Sequence, residues 1–212
     1  CGIPHEYGST GFGVYHASLI AFKHLNFDKN INIAIEGFGN VGSFVAKYLY
    51  DDGYKIVAVS DSKGLVYNKN GLDYKKLIMI KKKGSVINYK PAKIMPSNKI
   101  ISLDVDVLIT AAIPNLITNE NVNKIKAKLI VEGSNIPMTI DIEERLHKKG
   151  ILVIPDFVAN AGGVISSYAE YKGLNPSNMF KLVERKIKFN TKLVLDKAKK
   201  KKCKLRDIAI EI

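Results

Sequence analysis

"INIAIEGFGNVGSFVAKYLYDDGYKIVAVSDSKG" (Ile31–Gly64) decides how the rest of the chain is read. It opens with an apolar, strand-like run, Ile31–Glu36, and Gly37, Gly39 and Gly42 then spell G-x-G-x-x-G. From Asn40 to Asp51, Val41, Val45, Ala46 and Leu49 recur at helical spacing, and a second strand, Lys55–Asp61, closes on an acid. In that order each glycine has its own reason. The first permits a tight turn, the second lets a diphosphate approach the backbone, and the third lets helix pack on strand. The helix start offers unpaired N–H groups and partial positive charge to phosphate. Asp61 lies about 20 residues beyond the loop, where a carboxylate can accept hydrogen bonds from a ribose. Ser62 and Lys63 follow it. Asp61 would repel a 2′-phosphate and Lys63 would pair with one, so NAD and NADP both stay open.

Outward from this unit the pattern repeats. Val105–Ala112, Ala127–Asn135 and Ile151–Asp156 read as further strands, short and rich in Val and Ile. Between and after them come helical stretches: Asp73–Lys83, a short one near Asn119–Ile125, Thr139–Lys149, Val164–Lys172, Pro176–Lys202, and a last one from about Leu205. Upstream, Ser9 or Thr10 can cap a helix running to about Asn26, with Val14, Ala17 and Ala21 on one face. Asn70-Gly71 marks a turn. Apolar strands alternating with helices predict an α/β, doubly wound, mostly parallel sheet, a Rossmann-like dinucleotide-binding domain spanning residues 1–212.

Composition narrows the function classes. The net charge is +13, with lysines gathered at Lys81–Lys83 and Lys197–Lys204. Both clusters follow helical stretches, where cations complement the helix dipole. No zinc finger, aromatic RNA-binding strand or helix-turn-helix accompanies them, so no nucleic-acid partner is expected. No apolar run reaches membrane-spanning length, and no membrane partner is expected. Cys1 and Cys203 suit two unpaired thiols in a reducing cytoplasm, the expected location. His5, His16, His24 and His147 are scattered without ligand spacing, and no metal site is expected.

"STGFGV" (Ser9–Val14), "GFGNVG", "VSDSKGLVYNKNGLD" (Val59–Asp73), "VEGSNIPMT" (Val131–Thr139) and "ILVIPDFVANAGGVISSYAEY" (Ile151–Tyr171) occur in this order. Together they resemble the nucleotide-binding domain of the glutamate/leucine/phenylalanine/valine dehydrogenase family, and its glutamate-specific members in particular, over nearly the whole chain. The resemblance implies NAD or NADP as cofactor and assigns roles residue by residue. Thr10 contacts the nicotinamide amide, and Asn40 helps hold that end. Phe38 and Val41 belong to the diphosphate loop. Ala111 and Ala112 lie beside the dinucleotide, Asn135 near the nicotinamide ribose, and Asn160 at the junction of cofactor and substrate. Gly163 and Val164 line the substrate cleft, and Ser167 bonds the side-chain carboxylate of glutamate.

Two departures stand out. The stretch before Thr10 lacks the basic residue many members carry, and His5 and Glu6 read as surface polar residues. "SNIPMT" replaces the commoner A-N-G-P-T-T, keeping Asn135 and Pro137. Relatives acting on apolar amino acids usually carry an apolar residue at the position of Ser167, so the hydroxyl favours glutamate over leucine, phenylalanine or valine. The family's catalytic lysine and aspartate lie in a substrate domain upstream of Thr10. The resemblance therefore implies a fragment beginning at Cys1 that binds dinucleotide, carries no catalytic residue and turns over nothing alone. For the intact enzyme it implies a homohexamer acting on a small amino acid. The alternative reading is a stand-alone module that senses dinucleotide without catalysis.

Overall fold

The computed structural model describes residues 8–212, so Cys1, His5 and Glu6 lie outside the described residues. In chain order the elements are α1 (Ser9–His24), β1 (Asn32–Glu36), α2 (Asn40–Asp51), β2 (Lys55–Asp61), β3 (Gly64–Tyr67), α3 (Tyr74–Lys82), β4 (Lys93–Met95), β5 (Val107–Thr110), β6 (Leu129–Glu132), α4 (Ile140–Lys148), β7 (Leu152–Ile154), α5 (Asp156–Ala159), α6 (Gly162–Tyr171), α7 (Pro176–Lys201) and α8 (Leu205–Glu211). Seven strands form one sheet in the order β4-β3-β2-β1-β5-β6-β7. The five from β2 to β7 in that order are mutually parallel, as expected, and β3 and β4 extend the β2 edge antiparallel.

Strand alternation explains the two layers. Ile33 and Ile35 of β1 face one side and Ala34 the other, and all three are fully buried. The first side is covered by α1, α2 and α7, which stack so that Val14, Ala17 and Ala21 of α1 have no exposure. The second carries α4, through Ile142 and Leu146, and short 3₁₀ turns at Ser97–Ser102 and Val122–Lys124. On α7, Met179, Val183, Ile187, Thr191, Val194 and Ala198 are buried at steps of three and four residues, the inner stripe of a long amphipathic helix. Asn175 caps its start by accepting from Asn178 N, and Pro176 occupies the first turn.

The differences from the sequence reading have local causes. Neither Ser9 nor Thr10 is a cap. Gly8, in the left-handed region at φ 71°, precedes the helix, and its carbonyl accepts from Phe12 N. The region near Asn119–Ile125 holds a single 3₁₀ turn at Val122–Lys124 rather than an α-helix. Gly64–Tyr67 is a strand because Ser62 and Lys63 form a two-residue reversal pairing Asp61 with Gly64. The Asn70-Gly71 turn is present, with Gly71 at φ 97° and Asn68 accepting from both.

Candidate functional site

The carboxyl ends of β1, β5 and β6 lie side by side, and the loops leaving them meet at one edge of the sheet. Between β1 and β5 the chain switches direction across the sheet, the position where open α/β folds bind ligands. Gly37 follows β1 at φ 87°, and a Cβ there would sit 2.5 Å from Ala112 Cβ. Its N–H donates to Ser60 Oγ at 3.2 Å and Phe38 N donates to Ser60 O at 2.6 Å, tying the turn to β2. A Cβ on Gly42 would lie 1.9 Å from Gly37 O, so α2 can begin this close to the strand only with glycine there. Around Gly39 the space is open, with no heavy atom within 4 Å of an added Cβ. No side chain caps α2. Phe38 points inward and is 1% exposed, so the loop offers backbone rather than the Phe38 ring.

Beside this turn is a cavity of about 320 Å³, walled by Gly37, Asp61 and Ser62 on one side and by Asn98, Ile113 and Leu116 on the other. Asp61, the residue expected to meet a ribose, ends β2 on its rim, and its carboxylate is engaged within the fold. Oδ1 accepts from Lys63 N (2.9 Å) and Ser85 Oγ (2.8 Å), and Oδ2 from Lys81 Nζ (2.7 Å) and Val86 N (3.0 Å). Four donors fill its acceptor capacity, and its side chain is 5% exposed. Burial alone would raise its pKa; the Lys81 ammonium and the other three donors outweigh that and hold it at about 2. Ser62 and Lys63, at the tip of the reversal, are exposed beside it.

Sequence reasoning missed Glu36, buried at the end of β1, whose Oε2 accepts from Ala111 N and Ala112 N at 3.1 Å each. Burial raises its pKa, against the lowering by these N–H groups. An acid directly preceding the first glycine was the available signal. It fixes Ala111 and Ala112 against Gly37.

The second end of the edge gathers the remaining residues. Gly133 backs onto Thr110 O, 2.6 Å from where its Cβ would stand, and Val41 Cγ1 is 3.5 Å from the same point. Asn160 Nδ2 donates to Asn135 Oδ1 at 2.8 Å. The start of α6 packs on the start of α1: Gly162 abuts Ser9 O, and Gly163 abuts Thr10 Oγ1. One turn later Ser167 is exposed, its Oγ donating to Gly163 O at 3.3 Å, beside the exposed Val164. Thr10 is thus brought to Gly163, and Asn135 to Asn160. Asn40 is exposed in the first turn of α2. Among the described residues no group of three or more histidines, cysteines or carboxylates converges as a metal site, and no helix is long and apolar enough to cross a membrane.

The sequence profile of the glutamate/leucine/phenylalanine/valine dehydrogenase family matches residues 1–212. The chain belongs to that family. Among curated relatives within it, a glutamate dehydrogenase of Aeropyrum pernix is 42% identical over 202 residues, covering 92% of this chain and 48% of the relative. An NADP-specific glutamate dehydrogenase of Saccharolobus shibatae is 40% identical over 205 residues, covering 92% and 47%. Of solved structures, the glutamate dehydrogenase of Peptoniphilus asaccharolyticus matches with a TM-score of 0.77 at 29% identity, over 95% of this chain and 49% of that one. A hetero-hexameric glutamate dehydrogenase of Thermus thermophilus shares the fold, with a TM-score of 0.84 at 23% identity, over 95% and 50%. The chain spans about half the length of the curated relatives it matches. In family terms, the glycine turn, the paired asparagines and the α6 start lie along one edge of one sheet.

Proposed function

We propose that this chain is the coenzyme-binding part of an NAD(P)-dependent glutamate dehydrogenase, acting in the oxidative deamination of L-glutamate to 2-oxoglutarate and ammonia. The observation that carries the reading is the open space over Gly39 in front of an uncapped helix start. A diphosphate suits it: N–H groups at the start of α2 donate to phosphate oxygens, and nothing fills the space over Gly39. The 320 Å³ cavity takes the adenosine half. Thr10, Asn135 and Asn160 orient the nicotinamide half, with Asn40 at the same end. When bound, the coenzyme supplies the acceptor for the hydride leaving the α-carbon. Ser167 donates to the substrate's side-chain carboxylate, with Gly163 and Val164 lining the cleft. The acid–base groups lie outside these residues, and closure of a substrate domain over this edge would exclude water. The assembly proposed is the homohexamer that the family resemblance implies.

Titration with NADH and NADPH, followed by nicotinamide fluorescence, is expected to saturate. The chain joined to its substrate half is expected to reduce coenzyme with L-glutamate, and the chain alone to reduce none. Turnover by the chain alone would relocate the acid–base groups into it. Binding without turnover in the joined protein would favour a sensing module.

For coenzyme choice, Asp61 is neutralised by Lys81 while Lys63 projects from the same reversal. We infer that a 2′-phosphate is accepted there. Lys63→Ala is expected to weaken NADPH about tenfold and leave NADH within about twofold, as loss of one exposed charge-assisted contact allows. Equal losses for both coenzymes would place Lys63 away from the phosphate.

A further inference from the structure

The last helix reaches the coenzyme edge through one side chain. Leu205 and Ile208 seat α8 by their burial. Arg206, between them, enters a nest of three carboxylates from three elements. Nη2 donates to Glu132 Oε2 at the end of β6 (2.7 Å), Nη1 to Asp156 Oδ1 at the start of α5 (3.2 Å), and Nε to Glu143 Oε2 on α4. The guanidinium carbon is 5.3 Å from the Phe157 ring centroid. The side chains of Glu132, Glu143 and Asp156 are 0%, 3% and 10% exposed, and one cation serves all three.

Asp156 passes this anchorage on. Its own N–H donates to Glu132 Oε2 at 2.9 Å, and its Oδ2 accepts from Ile136 N at 2.9 Å. Its carbonyl accepts from Asn160 N at 2.7 Å. Ile136 is β-branched yet stands at φ 47°, a left-handed conformation that such residues avoid and that persists only where its surroundings hold it. The preceding residue is Asn135, bonded to Asn160. A continuous hydrogen-bonded chain therefore runs from Arg206 through Asp156 to the backbone carrying both asparagines.

Resting on the coenzyme reading above, we propose that Arg206 is a positioning residue: from the C-terminal helix it holds the strained Asn135–Ile136 turn and Asn160 in the arrangement that receives the nicotinamide half. Without the guanidinium, the three buried acids keep only backbone N–H donors and the Lys204 ammonium that acts on Glu143. They relax by moving apart, and displacement of Asp156 loosens its hold on Ile136 N. Burial already raises Glu132 to about 8, with Arg206 pulling the other way and Glu143 and Asp156 adding to the rise. Loss of Arg206 removes the opposing influence.

The test compares two ligands on Arg206→Met, Arg206→Lys and the unaltered chain: the reduced dinucleotide, NADH or NADPH, whichever binds, and the matching ADP-ribose, which lacks the nicotinamide. Arg206→Met is expected to weaken the dinucleotide at least about tenfold while ADP-ribose changes less than about twofold. Lysine, reaching fewer of the three acids, is expected to fall between. Parallel losses of both ligands, or no change in either, overturn the proposal. Should Arg206→Met fail to fold, Asp156→Asn keeps one acceptor oxygen but cannot serve both Arg206 and Ile136. It is expected to show the same selective loss, and its absence is equally fatal. Failure of the unaltered chain to bind either ligand overturns the coenzyme reading itself, an outcome distinct from a selective effect that never appears.

Discussion

Gly39→Ala is expected to leave thermal stability unchanged or slightly higher and to weaken coenzyme binding by at least about tenfold. Gly42→Ala, three residues away, is expected to destabilise the fold itself by about 3 kcal/mol. The two glycines look alike in the motif and differ in what surrounds them. At Gly39 the backbone is extended (φ −94°, ψ −153°), outside the left-handed region, and a methyl group meets no heavy atom within 4 Å. The only occupant it would displace is a ligand approaching the start of α2. At Gly42 the methyl would stand 1.9 Å from Gly37 O and 3.2 Å from Ile35 Cγ2. Backbone cannot rotate aside as a side chain can, so α2 must lift from β1 and carry its first-turn N–H groups with it. Thermal denaturation and a NADH or NADPH titration on both variants separate the cases. Normal binding by Gly39→Ala would show that no ligand approaches the backbone there.

His16→Leu is expected to stabilise the chain at neutral pH by about 1 kcal/mol and to remove much of its sensitivity to mild acid. His16 is 5% exposed within an aromatic cluster of Phe12, Tyr15, Tyr48 and Phe180, and neither ring nitrogen has a hydrogen-bond partner. Burial lowers its pKa to about 4; of the charged groups near it, Glu184 and Asp52 act upward and Lys188 downward. In the unfolded chain a histidine takes up its proton near 6.5. Between those values the unfolded state binds more protons than the folded one. Stability is therefore full above about pH 6.5 and falls as the pH drops toward 4, by up to about 3 kcal/mol from this residue. Urea denaturation from pH 7 to pH 4 measures it: the stability difference between His16→Leu and the unaltered chain should widen steadily toward acid. A difference independent of pH would mean that His16 finds a partner or water when protonated.

Local order along the chain was sufficient for the parallel sheet, its strand–loop–helix–strand core and the place of the glycine turn. Continuous apolar runs such as Ile33–Ile35, helical spacing in Asn40–Asp51 and a glycine signature are all properties of neighbours in sequence. The same holds for the inward stripe of α7, a 3.6-residue pattern, whereas α1 is buried nearly all round. The antiparallel pair β3–β4 was not legible, because two short edge strands owe their existence to pairing with β2 and with each other. The α1 start was misread for a related reason: a serine or threonine suggests a cap, but the approach of α6 to Ser9 O and Thr10 Oγ1 helps set what the first turn can be.

What the sequence by itself determined is which atoms this protein can bring to the site: the main-chain amides of the glycine turn, an acid at the end of the second strand, two asparagines and a serine on a following helix. Tertiary structure alone decided what those atoms are free to do. Asp61 is spent on Lys63, Lys81, Ser85 and Val86, up to 25 residues away in sequence, and Arg206 reaches Glu132 across 74 residues. A hydrogen bond needs its two atoms within about 3 Å, and sequence separation carries almost no information about that distance once the chain has crossed a sheet.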